Sequence, residues 1–264
     1  MWRGLFIMLK TINLFGEVKD KVNLTIERIR QFEPPEGYYV AFSGGKDSVV
    51  VLDLVKKAGV KYDSHYNLTT ADPPKLINFI RNKNPEVEIS TPEMSMWKLI
   101  PKKGMPPTRL IRYCCAILKE RGGQNRKVIT GVRWAESYNR SKRRMVETCR
   151  KNKAKTYLHP IIDWTENDVW EYINKNDIEY CKLYDEGYSR LGCIMCPMGG
   201  PKGMKRDAKR YPKFYKLYLK AFERMLAERH RKSLKTSWET PEEVMNWWIN
   251  NPPSIDENQI ALFG

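Results

Sequence analysis

Residues 38–52 read Tyr38-Tyr39-Val40-Ala41-Phe42-Ser43-Gly44-Gly45-Lys46-Asp47-Ser48-Val49-Val50-Val51-Leu52. The first five are apolar or aromatic and suit a buried strand. From about Ser48 the pattern turns helical and runs to Ala58, with Gly59 as a C-terminal stop. A strand, a glycine turn and a helix in that order make an anion site. The glycines let backbone N–H groups approach phosphate oxygens, and the helix N-terminus adds partial positive charge. Ser43 and Ser48 supply hydroxyls, Lys46 neutralises charge, and Asp47 is placed to orient Lys46 or to help hold Mg²⁺. The GxxxxGK[ST] spacing of a Walker loop is absent. The stretch therefore predicts a pyrophosphate-binding loop made of Ser43, Gly44, Gly45, Lys46, Asp47 and Ser48.

The pattern around the loop predicts an α/β fold. Upstream, Val18, Val22, Ile26 and Ile29 give residues 17–32 helical spacing, and Pro34-Pro35-Glu36-Gly37 ends that helix. Downstream, a strand over 60–68 is followed by a helix over 73–82 capped by Asp72, then a short strand at 87–89. Pro92, Pro101, Pro106 and Pro107 mark 91–108 as a loop, and a helix over 109–121 closes at Gly122-Gly123. Val128 to Val132 is a further strand, and Thr165-Glu166-Asn167-Asp168 has capping-box spacing before Val169–Ile173. Such alternation predicts a Rossmann-like parallel sheet with helices on both faces. Ligands then bind at the carboxyl ends of the strands, where the loop sits. After Arg190 the chain becomes rich in Gly, Pro and Cys and then helical, with a basic amphipathic helix over 212–231 and a last helix from Thr240-Pro241. The expected domains are an N-terminal helical arm (1–35), a nucleotide-binding domain (36–190) and a small Cys-containing helical C-terminal region (191–264).

The 264 residues are 41% hydrophobic, enough for a real core. No stretch approaches the roughly 18 apolar residues of a membrane span. The short Leu5–Leu9 run lacks the features of a signal peptide, and Met8 is a second candidate start. These features predict a cytoplasmic protein with no membrane partner, in which six cysteines are thiols or ligands rather than disulfides. The net charge of +16 is concentrated. Residues 139–155 hold eight Lys/Arg against one acid, and residues 202–235 hold thirteen against three. Such segments serve either as a solubilising surface or as a docking surface for a polyanion such as tRNA or DNA. One nucleotide needs far less positive charge.

The cysteines form a second constellation: Cys114-Cys115, then Gly192-Cys193-Ile194-Met195-Cys196-Pro197. Cys-x-x-Cys places two thiolates on one metal centre, and four thiolates hold either an iron–sulfur cluster or zinc.

The loop resembles the PP-loop of the adenine nucleotide α-hydrolase-like superfamily. Thr130-Gly131-Val132-Arg133-Trp134-Ala135-Glu136-Ser137 resembles the arginine-bearing segment of phosphoadenylyl-sulfate (PAPS) reductases, and His159-Pro160-Ile161-Ile162-Asp163-Trp164-Thr165-Glu166-Asn167-Asp168-Val169-Trp170 resembles a second segment of that family. The similarity runs from about 38 to 197. It implies ATP, APS or PAPS under the loop, with Lys46, Asp47 and Arg133 as catalytic groups. Arg133 would hold phosphate or sulfate, assisted by Arg140 or Arg143, while Asp163 and Trp164 would be structural. The cysteine layout is similar to that of the iron–sulfur adenylyl-sulfate (APS) reductases and of DndC-type proteins of DNA phosphorothioation. That similarity implies a [4Fe–4S] cluster on Cys114, Cys115, Cys193 and Cys196, with zinc as the alternative. Lys119 would place positive charge between cluster and substrate.

The reductases attack sulfur with a cysteine near the C-terminus, whereas no cysteine follows Cys196 here and the last residues read Asp256-Glu257-Asn258-Gln259-Ile260-Ala261-Leu262-Phe263-Gly264. Cys149, beside Arg144, Arg150 and Lys151, is either a substitute nucleophile or incidental. The expectation is ATP-dependent sulfur transfer to a nucleic acid or other acceptor, with the sulfur delivered by a sulfur-donor protein or held at the cluster. PAPS or APS reduction is the alternative. A non-catalytic nucleotide-binding module is the third reading, against which the retention of Lys46, Asp47 and Arg133 argues.

Overall fold

A computed structural model describes residues 9–12, 18–149 and 152–250. Met8, Arg150, Lys151 and the tail from 256 onward lie outside the described residues. The chain forms two compact units.

The strands are β1 (Lys10–Ile12), β2 (Val18–Asp20), β3 (Tyr38–Ala41), β4 (Tyr62–Asn67), β5 (Val87–Ser90), β6 (Lys127–Ile129), β7 (Val146–Thr148) and β8 (Thr156–Leu158). The helices are α1 (Lys21–Gln31), α2 (Lys46–Ala58), α3 (Pro74–Lys83), α4 (Met96–Lys103), α5 (Tyr138–Ser141), α6 (Glu166–Lys175), α7 (Gly200–Arg210), α8 (Pro212–Arg231) and α9 (Pro241–Asn250).

The first unit runs to Tyr66 and adds Pro74–Ser90 and Gly122–Leu191. Its six-stranded sheet has the order β5-β4-β3-β6-β8-β7. β3 pairs in parallel with β4 and β6, and β6 pairs in parallel with β8. The pairings of β3, β4, β6 and β8 are parallel as the alternation predicts, and the edge strand β7 adds an antiparallel pairing to β8, in register Val146↔Leu158. Neither β7 nor β8 shows in the sequence: each has three residues, and the segment is dense in Lys and Arg rather than alternating. Val40, Val50, Leu54, Val55, Ile129, Leu158, Trp164 and Val169 are buried in this unit. Asp163, expected to be structural, receives both NH groups of Arg28 at 2.8 Å. Trp164 is buried and donates its indole N–H to Thr25 Oγ1 at 3.2 Å.

α1 starts at Lys21 rather than 17, because residues 18–20 pair with β1 and the Asp20 carboxylate caps the N–H groups of Val22 and Asn23. α2 starts two residues earlier than expected, which puts Lys46 and Asp47 in its first turn.

The second unit comprises Asn67–Pro73, Thr91–Arg121 and the residues from Gly192. Its core joins α4, α7, α8 and α9 through Leu99, Ile100, Met204, Phe222, Met225 and Trp248. The expected loop over 91–108 contains α4 despite Pro101. Met96, Leu99 and Ile100 are buried at helical spacing, and that burial offsets the lost backbone hydrogen bond. The expected helix over 109–121 is instead a short π-helical turn, Cys115–Lys119, closed by Glu120 N–H on Cys115 O at 3.0 Å. Among the described residues no helix is long and apolar enough to cross a membrane.

Candidate functional site

From β3 the chain steps outward through β4 to β5, then returns to the other flank of β3 as β6. In sheets with such a reversal, ligands bind at the carboxyl ends of the strands that flank it, here β3 and β6. The loop Ser43–Ser48 leaves the end of β3, and Thr130–Arg133 leaves the end of β6. The two segments touch at backbone level: a Cβ on Gly131 would lie 2.9 Å from the Asp47 carbonyl carbon. Gly44 has φ +70, which L side chains rarely adopt, and a Cβ there would lie 2.5 Å from Leu76 Cδ1. Gly45 is the N-cap of α2 and brings no side-chain cap; the Lys46 N–H goes to the Tyr184 hydroxyl and the Ser48 N–H to Gly45 O, both at 3.0 Å. Within the loop, Gly45 N–H donates to Ser43 Oγ (3.4 Å), Ser43 Oγ to Ser48 Oγ (3.1 Å), and Ser48 Oγ to Gly45 O (2.8 Å).

Two cations converge there, both nearly excluded from water: Lys46 is 4% exposed and Arg133 is 2% exposed. Burying a cation is costly unless it is paired, and the partners are Asp47 and Glu166. Arg133 donates from Nε to Asp47 Oδ1 (2.6 Å) and from a terminal nitrogen to Glu166 Oε2 (2.8 Å). Lys46 Nζ lies 3.2 Å from Glu166 Oε1 and 3.5 Å from Asp47 Oδ2. Burial works against charge on both Arg133 and Glu166. It is outweighed: the carboxylates hold the Arg133 guanidinium above its usual range, and Lys46 with Arg133 holds Glu166 below its own. The structure thus brings Ser43, Gly44, Gly45, Lys46, Asp47, Ser48 and Arg133 together. Arg140 is engaged with Glu136, and Arg143 with Glu147.

Two members of the site were not singled out from the sequence. Glu166 was visible only as an unassigned position of a capping box, although an acid in the first turn of α6 is a signal in itself. Tyr184, whose hydroxyl accepts the Lys46 N–H at 3.0 Å, gave none.

His159 underlies the β6 segment. Arg143 donates to its Nε2 at 3.3 Å, so its proton sits on Nδ1, 2.7 Å from Thr130 Oγ1. Burial first, and Arg143 next, push its pKa from 6.5 down to about 4. A depressed folded pKa means that the unfolded chain takes up a proton between those values while the native one does not, so stability falls as pH drops through that window. We expect unfolding free energy to be about 2 kcal/mol lower at pH 5 than at pH 7, and His159→Gln to flatten that slope. Urea titrations at the two pH values check this; equal wild-type stability at both would contradict it.

The second unit holds the thiols. None of the six cysteines is in a disulfide. Arg112 donates to Cys115 Sγ at 3.4 Å. The Cys115 thiol is pushed down by a hydrogen bond from Cys114 and by Arg112 and Lys119, while Cys114 is driven up by the same pairing and by burial. Cys193 hydrogen-bonds Thr69 Oγ1 at 3.4 Å and is raised by burial, against the pull of Lys119. Lys119 is itself held above its usual range by Cys193, and by Asp72, Cys196 and Cys115 in turn. The Cys193–Cys196 turn is braced. Met195 takes φ +57, its N–H donates to Asp207 at 3.0 Å, and Tyr218 donates to Ile194 O at 3.0 Å. Among the described residues no three His, Cys, Asp or Glu are drawn into a metal-holding group. The donor set nevertheless suits a thiolate-held centre: four sulfurs feel one another's charge, Cys115 is pushed towards the thiolate, and two cations stand beside them.

The profile of the phosphoadenosine phosphosulfate reductase domain family matches residues 37–199. An uncharacterized protein of Methanocaldococcus jannaschii is 29% identical, covering 70% of this chain and 47% of its own length. A second from that organism is 28% identical, covering 83% and 46%. The chain thus spans about half the length of these two relatives. An adenosine 5'-phosphosulfate reductase of Oceanobacillus iheyensis is 30% identical, covering 59% of this chain and 69% of that one. The crystal structure of the PAPS reductase from Candida auris in its phosphate complex superposes with TM-score 0.50 at 21% identity, over 65% of this chain and 89% of that one. At that identity the likeness concerns the fold alone.

Proposed function

Since the chain belongs to the phosphoadenosine phosphosulfate reductase domain family, we propose that it is a nucleotide-using enzyme of sulfur chemistry whose loop holds the phosphates of an adenine nucleotide. The observation that carries this reading is the pair of buried cations, Lys46 and Arg133, beside a glycine loop at the switch point of the sheet. Lys46, Arg133 and the first-turn N–H groups of α2 would neutralise and orient the phosphates, with Asp47 aligning both cations.

The reading favoured for the reaction is ATP-dependent sulfur transfer. An acceptor oxygen attacks the α-phosphorus, the bond to the leaving pyrophosphate breaks, and a sulfur nucleophile then displaces AMP from the activated carbon. Lys46 and Arg133 stabilise the charge that develops on the leaving pyrophosphate. Cys114, Cys115, Cys193 and Cys196 would hold a [4Fe–4S] cluster, which supplies sulfur or electron chemistry when bound; Arg112 and Lys119 offset its negative charge.

A nucleic-acid acceptor is supported by the outward face of two helices. Lys202, Lys205, Arg206 and Lys209 on α7, and Lys213, Lys216, Lys220 and Arg224 on α8, are all exposed and, apart from the adjacent Lys205 and Arg206, recur every three to four residues. Their inward faces brace the Cys193–Cys196 turn through Asp207 and Tyr218. Binding there should weaken steeply as salt rises.

The reductase reading is favoured by the likeness to the adenosine 5'-phosphosulfate reductase of Oceanobacillus iheyensis. It needs a thiol to receive the sulfonate. Within these 264 residues Cys181 is buried, which leaves Cys149 or a thiol from outside this sequence. An anaerobic assay separates the two. Sulfur transfer predicts AMP and pyrophosphate from ATP when RNA or DNA acceptor is present, and no sulfite from APS or PAPS with thioredoxin. Robust sulfite release that disappears in Cys149→Ser would reverse the ranking.

A further inference from the structure

We propose that Glu166 and Tyr184 are internal stand-ins for the ligand's phosphate oxygens, and that they set the loop to take a pyrophosphate-type polyanion in preference to a single phosphate or sulfate. The inference rests on the loop being the anion site.

Glu166 spreads its two oxygens over two cations, Oε1 on Lys46 at 3.2 Å and Oε2 on Arg133 at 2.8 Å. That is the posture of a bridging phosphate. Tyr184 accepts the Lys46 backbone N–H, a donor of the helix N-terminus, at 3.0 Å. Its ring stands 5.5 Å from Lys46 Nζ and packs edge-on against Trp170 at 5.3 Å.

The two carboxylates of the cluster differ in freedom. The Asp47 side chain is 19% exposed and belongs to the loop itself, whereas that of Glu166 is 53% exposed and can turn to water. With Glu166 in place, two cations face two carboxylates and the set is neutral. A ligand bearing one negative charge only exchanges for the carboxylate that it displaces. A ligand bearing several gains contacts with Lys46, Arg133 and the amide that Tyr184 gives up, and so repays the exchange. Helix α6 does not depend on Glu166, because Thr165 and Asp168 make its capping box.

The test is calorimetric titration of wild type, Glu166→Gln, Tyr184→Phe and Lys46→Ala with inorganic phosphate and pyrophosphate at constant ionic strength. Glu166→Gln keeps the size and removes the charge. It should bind phosphate about tenfold more tightly and gain less for pyrophosphate, so the preference between the two narrows. Its ligand-free melting temperature should fall, since Lys46 and Arg133 lose a partner; a purely structural residue would lower stability and affinity together. Tyr184→Phe should also bind phosphate more tightly. Unchanged or weaker anion binding in Glu166→Gln overturns the inference, and weaker binding in Tyr184→Phe makes the phenol a ligand contact and overturns its half. If wild type binds pyrophosphate and Lys46→Ala does not, a failure of Glu166→Gln strikes this inference alone. If neither wild type nor Glu166→Gln binds either anion, the loop reading falls with it.

Discussion

Protein purified without oxygen is expected to be brown and to carry about four irons per chain, and Cys115→Ser is expected to remove most of that iron. The reason lies in the charge around the thiols. The Cys115 thiol is pushed towards ionisation because Cys114 donates to it and Arg112 stands 3.4 Å away. Thiolates are the form that binds metal. Cys114 resists ionisation first through its hydrogen bond with Cys115 and then through burial, and Cys193 first through burial; the charge of neighbouring thiolates adds to both. Iron bound to all four would relieve that repulsion, so the occupied state should stabilise the unit and the iron-free state should melt earlier. Ser in place of Cys114, Cys193 or Cys196 should deplete iron likewise, whereas Cys149→Ser should leave it intact. Stoichiometric zinc without iron would contradict the cluster.

Gly131→Val is expected to cost the site more than any other single change outside the loop. The missing Cβ would sit 2.9 Å from the Asp47 carbonyl carbon and 3.0 Å from its Cβ. Backbone cannot yield as a flexible side chain does, so the first turn of α2 must shift. With it move Lys46, Asp47 and the amide donors, while Arg133, two residues on from Gly131, loses its register on Asp47. Overpacking of this kind costs about 1–3 kcal/mol of stability. Nucleotide affinity should drop by roughly a hundredfold or more, because at least two charge-assisted contacts of about 1.5–3 kcal/mol each are lost together. Circular dichroism establishes that the variant is folded, and calorimetry with ATP reads the loss. A folded Gly131→Val with wild-type affinity would show that the β6 segment does not support the loop.

The loop was legible because its chemistry is local. A strand of five apolar residues, two glycines and a lysine in sequence leave few alternatives, and the structure sets them at the end of β3 as the pattern implied. Arg133 was legible only through the resemblance; nothing in its neighbours predicts that it is 2% exposed and tied to Asp47. Glu166 and Tyr184 were missed because their roles depend on tertiary approach to Lys46 across 120 and 138 residues. β7 and β8 were missed because strands of three residues are too short to carry a period, and they lie in a segment dense in Lys and Arg. α4 was missed because Pro101 outweighed, in a local reading, the Met96, Leu99 and Ile100 stripe that buries it. The division after 190 followed a change of composition. The compact units follow contacts instead, so two earlier segments, Asn67–Pro73 and Thr91–Arg121, join the C-terminal residues.

The most direct measurement is calorimetric titration of wild type and Lys46→Ala with ATP, APS and PAPS. Lys46 is nearly excluded from water and sits at the convergence of the loop, Glu166 and Tyr184. The account predicts saturable binding of at least one of these nucleotides by wild type. It predicts a loss of about 1.5–3 kcal/mol in the variant, roughly ten- to a hundredfold in affinity, with circular dichroism unchanged. Equal affinity of wild type and Lys46→Ala for all three nucleotides would contradict it.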